Sequence, residues 1–137
     1  MLYDAFTFFN EFDVLRIRLE EMSTLVVAHV LVESTKTFSG EPKPLYFKER
    51  AKEFAKYPIV HVVVDEEPPK HDYWARESLQ RNAIMRGLDG ATERDMVLMG
   101  DVDEIPSVDA LLRLREYPNN IPAVSYTHLR AHETKAN

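Results

Sequence analysis

The stretch Asp101-Val102-Asp103-Glu104-Ile105-Pro106 places two carboxylates one residue apart, directly after the apolar run Met96-Val97-Leu98-Met99. In extended backbone the side chains of residues i and i+2 share a face, about 7 Å apart, so Asp101 and Asp103 can address one oxygen-loving cation, or a cation and its water. No His or Cys accompanies them, and such a pair suits Mg²⁺ or Mn²⁺ rather than zinc. Because Mg²⁺ is typically held by one or two carboxylates plus substrate phosphates, the chemistry suggested is delivery of a cation to a phosphate-bearing ligand. The competing reading is that the two aspartates only end a strand and begin a turn, since Asp-x-Asp is a common pattern.

Positioning such a pair requires a sheet. Residues 25–32 form a continuous, β-branched apolar run ending in Glu33-Ser34, which predicts a core strand covered on both faces. Residues 59–64 repeat the pattern and end in Asp65-Glu66-Glu67, and the run at 96–99 makes a third core strand. Helical periodicity lies between them: residues 47–57 put Phe47, Ala51, Phe54 and Ala55 on one face, and residues 73–88 bring round Trp74, Arg81, Ile84, Met85 and Leu88. Strand–helix–strand spacing of this kind predicts an α/β fold with parallel pairing and right-handed crossovers. Upstream, a short strand at 3–9 feeds an amphipathic helix at 11–22 with Leu15, Leu19 and Met22 in register and Asn10 as N-cap. Downstream, Ser107 caps a helix whose Val108, Leu111 and Leu112 face inward. Open parallel sheets bind ligands beyond the carboxyl ends of their strands. All three core strands carry an acid there: Glu33, Asp65 and the Asp101/Asp103 pair. The Asp65 to Glu67 acids read as a solvated edge. His29 and His61 lie inside apolar strands and read as satisfied core residues.

At 137 residues the chain is of single-domain size. A net charge of -6 argues against binding nucleic acid, whose phosphates call for a basic stripe. With no cysteine there is neither a disulfide framework nor a thiolate metal site. No basic leader opens the chain, and no apolar run approaches the ~20 residues of a transmembrane helix. As written, the expectation is a cytoplasmic chain without a transmembrane segment.

In five blocks the sequence resembles glycosyltransferase family 17: Tyr3-Asp4-Ala5-Phe6-Thr7-Phe8-Phe9-Asn10-Glu11, Val32-Glu33-Ser34, Lys36-Thr37-Phe38-Ser39-Gly40-Glu41-Pro42-Lys43-Pro44-Leu45, Gln80-Arg81-Asn82-Ala83-Ile84 and Asp101-Val102-Asp103-Glu104-Ile105-Pro106. The resemblance runs in order from residue 3 to residue 123. It implies a GT-A-like (Rossmann-like), mostly parallel sheet flanked by helices. It further implies UDP-N-acetylglucosamine as donor, Mn²⁺ or Mg²⁺ as cofactor, and inverting transfer of N-acetylglucosamine to a mannose-containing glycan acceptor. Asp103 is then the first metal ligand, with Asp101 on the ribose or reaching the metal through water. Glu104 orients one of them or is a surface acid. Glu33 and Ser34 are placed to hydrogen-bond uracil or ribose, with a turn-forming serine as the equal alternative for Ser34. Arg81 reaches the donor diphosphate or instead pairs with Glu77 one turn earlier. Trp74 walls the donor pocket or belongs to the core. Lys36, Lys43 and Lys48 attract an anionic donor or are ordinary surface lysines. Inverting transfer also needs a general base, for which no residue stands out. Animal members of the family are Golgi membrane proteins.

The resemblance implies that residues 1–124 are the nucleotide-sugar-binding half of a domain truncated at its C-terminus. Residues 125–137 read as a non-native or disordered tail, because Ser125 to Thr134 looks like translated sequencing-adapter read-through. Two other functions compete with the transferase. One is a non-catalytic module binding a nucleotide-sugar or a cation. The other is a Mg²⁺-dependent Asp-x-Asp phosphohydrolase, disfavoured because such enzymes carry the pair on their first core strand, followed by Thr.

Overall fold

The structure is a computed structural model that describes residues 1–116, so the expectation for residues 125–137 lies outside the described residues. The chain forms one four-stranded sheet from β1 (Leu2–Thr7), β2 (His29–Ser34), β3 (Ile59–Val64) and β4 (Met96–Asp101). The strand order is β3-β2-β1-β4, and every pair is parallel. Helices α1 (Phe12–Met22), α2 (Tyr46–Arg50), α3 (Tyr73–Asn82) and α4 (Val108–Glu116) connect or follow the strands. The expected α/β class and parallel sheet are present.

Alternation along the strands sets the two layers. Phe6, Phe8 and Leu31 pack against Leu15 and Leu19 of α1, Phe47 of α2 and Phe54. Their strand neighbours Ala5, Val30 and Val32 join Val62 and Val64 on the opposite face, under Ala83 and Ile84 beyond α3. Successive strand side chains point to opposite faces, so one run of apolar residues serves both layers. Leu111 and Leu114 of α4 close a third cluster with Leu2, Met22 and Leu98. Where the chain leaves α3, the 3₁₀ turn Ala83–Gly87 presses onto β2, and a Cβ at Gly87 would lie 2.5 Å from a Val30 methyl.

Several sequence expectations are corrected. The apolar run at 25–32 enters the sheet only at His29, and Glu33 and Ser34 belong to the strand itself. The short strand expected at 3–9 is present as Leu2–Thr7, and it is central, paired on one side with β2 and on the other with β4. Asn10 does not cap α1. Glu11 precedes the helix, and its carboxylate folds back to accept the backbone N–H groups of Phe9 and Asn10. The helix expected over 47–57 tightens after Arg50 into the 3₁₀ turn Ala51–Phe54, whose larger angular step keeps Phe54 buried and turns Ala55 outward. The buried stripe of α3 and its 3₁₀ extension runs through Gln80, Ala83 and Ile84, so Trp74 and Met85 face solvent. In α4, Ser107 does cap through its Oγ, which accepts the Ala110 N–H at 3.1 Å. The inward residues there are Leu111 and Leu114, while Val108 and Leu112 are exposed.

Candidate functional site

β1 and β4 lie side by side although the chain visits β2 and β3 between them. From β1 the order runs to β2 and β3 on one side and then jumps back to β4 on the other, which opens a crevice at the carboxyl ends of β1 and β4. A cleft of about 220 Å³ occupies this place. Its walls are Thr7 and Phe8 at the end of β1, Phe9 and Glu11, the segment bearing Lys36, Thr37, Phe38 and Lys43, the α3 residues Tyr73, Glu77 and Gln80, and Asp101 with Val102.

The segment after β2 folds back on itself through a bridge between Lys36 and Pro42. Gly40 turns it with φ of 94°, a left-handed conformation that favours glycine. Arg76 of α3 donates to the Phe38 carbonyl at 3.2 Å, fixing this wall to the helix. The Glu67 carboxylate gathers Lys36, His71 and Arg76. The hydrogen bond from Lys36 is the largest influence on Glu67; against a smaller opposing effect of desolvation, it and the His71 and Arg76 partners hold the carboxyl at about 2.

At the end of β4 the backbone does not stay extended. The Glu104 N–H donates to the Asp101 carbonyl at 3.0 Å, and the Asp101 N–H donates to Glu104 Oε1 at 2.9 Å, so the motif is a turn closed at both ends. Val102 points into the core, 2% exposed, and the carboxylates on either side turn outward together. One oxygen from each of Asp101, Asp103 and Glu104 lies within 4.8 Å of the others. The closeness comes from the turn, rather than from the two-residue repeat of a strand, and it adds Glu104 to the pair. The donor set is all oxygen, which fits a hard divalent cation such as Mg²⁺ or Mn²⁺. Asp101 belongs to both the carboxylate group and the cleft wall.

Arg81 makes the Glu77 pairing expected as its alternative, and it also approaches Asp101. It donates to Glu77 Oε1 from Nη2 at 3.0 Å, and the same nitrogen stands 3.6 Å from Asp101 Oδ1. A cation beside clustered carboxylates offsets part of their mutual repulsion.

Glu33 and Ser34 do not line the cleft. Glu33 is fully buried, and its two oxygens accept the backbone N–H groups of Phe47 and Lys48 at 3.0 Å each, capping the start of α2. His61 Nε2 donates to the same carboxylate at 2.5 Å. Ser34 Oγ accepts the Lys36 N–H at 3.1 Å, the turn-forming alternative. Asp65 accepts from Thr35 Oγ1 at 2.8 Å. The expected gathering of acids along one rim is therefore confined to Asp101, Asp103 and Glu104.

Lys36 and Lys43 both reach the cleft; Lys48 does not line it. Burial lowers the Lys43 ammonium from its ordinary value, with Glu33 and Glu11 acting in the other direction. Trp74 is 73% exposed and neither walls the cleft nor joins the core; its ring packs edge-on against Tyr73, which does line the cleft.

Two features escape sequence reasoning. Gln80 is only 6% exposed and lines the cleft. Beneath the carboxylate turn lies a buried polar group. Arg18 of α1 binds Asp4 through Nε and Nη2, and His29 donates to Asp4 from Nδ1 at 2.7 Å, all three side chains being fully buried. His29 Nε2 lies 2.9 Å from Ser23 Oγ, so the histidine is a satisfied core residue as expected. Burial alone would raise the Asp4 carboxyl; the hydrogen bonds from His29 and Arg18 and the two charges outweigh it, and the net direction is down. The outward signal was a charged residue, Arg18, inside the apolar stripe of an amphipathic helix.

The open parallel α/β domain has a cleft at its topological switch point, where folds of this kind bind ligands, with an all-oxygen acidic turn beside it. The family model for glycosyltransferase family 17 matches residues 1–133, and the chain belongs to that family. Similar proteins include the beta-1,4-mannosyl-glycoprotein 4-beta-N-acetylglucosaminyltransferases of Homo sapiens and Rattus norvegicus, each 32% identical over 120 residues. The Mus musculus protein of the same name is also 32% identical. The matches cover 79% of this chain and 22% of each relative, so the chain spans about a fifth of their length. No solved structure matches it. Among the described residues no helix is long and apolar enough to cross a membrane.

Proposed function

We propose that this chain forms the donor-binding part of a metal-dependent N-acetylglucosaminyltransferase, taking UDP-N-acetylglucosamine and serving a mannose-containing glycan acceptor with inversion. One observation carries the reading: Asp101 is shared between a three-carboxylate turn and the wall of the switch-point cleft. A cation held by Asp103 and Asp101 would sit at the cleft's edge, where a diphosphate can complete its coordination. When bound, that ion supplies Lewis-acid neutralisation of the charge that develops on the departing diphosphate.

The protein's own groups divide the remaining work. Glu104 holds the Asp101 backbone in the turn and adds a third carboxylate to the set. Arg81, 3.6 Å from Asp101, presents a guanidinium to an incoming phosphate oxygen as well as to the acid. Lys36 and Lys43 add positive charge to the cleft lining. The Gln80 carboxamide offers one donor face and one acceptor face to the neutral part of the ligand, the base or the sugar hydroxyls. Phe8, Phe38 and Tyr73 supply flat apolar surface for the same part.

The test is calorimetric titration of UDP into the full chain with and without Mn²⁺, repeated on Asp103→Ala. Metal-dependent UDP binding that disappears in the variant is expected; UDP affinity indifferent to both Mn²⁺ and the substitution overturns the reading. Release of N-acetylglucosamine from its UDP conjugate, measured in parallel, separates a turning-over enzyme from a module that only binds.

A further inference from the structure

We infer that Arg18, anchored by Asp4, is a positioning residue that shapes the carboxylate turn before any metal arrives. The inference rests on the proposed role of that turn as a cation site, and it concerns what builds the turn. Arg18 is fully buried on α1, 83 residues away from Asp101 in sequence. Its Nη1 donates toward three carbonyls of the turn, Asp101 O at 3.3 Å, Val102 O at 3.3 Å and Glu104 O at 2.8 Å. The other edge of the same guanidinium is held by Asp4, at 2.9 Å from Nε to Oδ2 and 2.6 Å from Nη2 to Oδ1. Phe6 lies under the plane, its ring centroid 4.9 Å from Cζ.

Three carbonyls drawn to one nitrogen must point into the protein. With the Val102 side chain also buried, the side chains of Asp101 and Asp103 are left to the outside. Carboxylates of like charge oppose being brought this close, so the turn needs a restraint that does not depend on a cation. The cross-links between Asp101 and Glu104 supply part of it, and Arg18 supplies the part that ties the turn to α1 and β1. Lysine cannot substitute, because a single ammonium lacks the fork that serves a carboxylate on one edge and carbonyls on the other. Nor is fold stability a sufficient reason for the pair, since buried ion pairs can often be replaced by apolar residues at little cost.

The experiment uses the full chain as wild type, Arg18→Lys, and the double substitution Asp4→Leu with Arg18→Met, which removes the pair without leaving a lone buried charge. Three quantities are read: the melting temperature, amide hydrogen exchange at residues 101 and 104 without metal, and affinity for Mn²⁺ alone. In wild type both amides should be protected before Mn²⁺ is added. A folded variant should lose that protection while β1 amides keep theirs, and bind Mn²⁺ about tenfold or more weakly, the scale of losing an outer partner of a metal site. Should Arg18→Lys fail to fold, the double variant carries the same comparison, and wild-type amides that exchange freely without Mn²⁺ overturn the inference without either. Amides at 101 and 104 that become protected only on adding Mn²⁺ overturn the inference, as does a folded variant that binds Mn²⁺ as wild type does. Wild-type protein that takes up no Mn²⁺ sinks the metal reading itself, a result distinct from equal uptake by wild type and variant.

Discussion

The ends of β2 and β4 carry the same chemistry in sequence and opposite chemistry in the fold. Each is an apolar strand running into carboxylates at the same edge of one parallel sheet. At β2 the Glu33 carboxylate turns under α2, where two backbone N–H groups and a histidine occupy its oxygens. At β4 the chain turns instead, and three carboxylates face outward beside the cleft. A carboxylate whose lone pairs are filled by the protein holds the protein together. The acids after β4 share a small volume with one another, and on that closeness the proposed cation site rests.

Removing each acid in turn sharpens that contrast. The largest change is expected from Asp103→Ala, which should weaken Mn²⁺-dependent UDP binding by about a hundredfold, equivalent to ~2.7 kcal/mol. Its melting temperature should stay near that of wild type, because the side chain is exposed. Calorimetry and a thermal melt on one preparation read both. Glu33→Ala should behave in reverse, costing about 2 kcal/mol of stability by leaving buried amide donors and a histidine without an acceptor. Metal-dependent UDP affinity should be preserved in whatever fraction is folded, and urea unfolding with a UDP titration at low temperature measures the two. If Glu33→Ala lost donor binding with stability intact, the two strand ends would be functionally alike.

Arg81→Gln is expected to have a middling effect, a reduction of about fivefold in UDP affinity, near ~1 kcal/mol. Lowered affinity for UDP with unchanged Mn²⁺ affinity would place the guanidinium on the phosphate; a change in Mn²⁺ affinity alone would confine it to Asp101. Glu67→Gln should have the smallest effect. Its carboxyl sits at about 2, below its ordinary 4.5, so any stabilisation by its ion pairs is complete above 4.5 and fades as pH falls towards 2. Melts of wild type and variant across pH should therefore differ by a small constant margin from pH 5 to 8 and converge in acid.

Much of this arrangement was legible from residue order. β3 and β4 showed as apolar runs because strands buried on both faces need no polar alternation, and the acid pair was marked by its place after β4. The role of residues 2–7 was less visible, since a six-residue strand with Asp4 in its middle does not read as a central strand. Asp4 is tolerated there only because Arg18 and His29 meet it from other elements. Gln80 was overlooked for a related reason: on a helix a glutamine reads as surface, and only the docking of α3 against the sheet brings it to the cleft wall.

Sequence alone determined the α/β class, the parallel pairing and the candidate carboxylates, since periodicity and composition act locally and are written residue by residue. Tertiary structure decided which acids cluster beside the cleft and which cap a helix. That choice depends on hydrogen-bond donors supplied from distant parts of the chain: the α2 amides for Glu33, and Arg18 for the turn that carries Asp101 and Asp103.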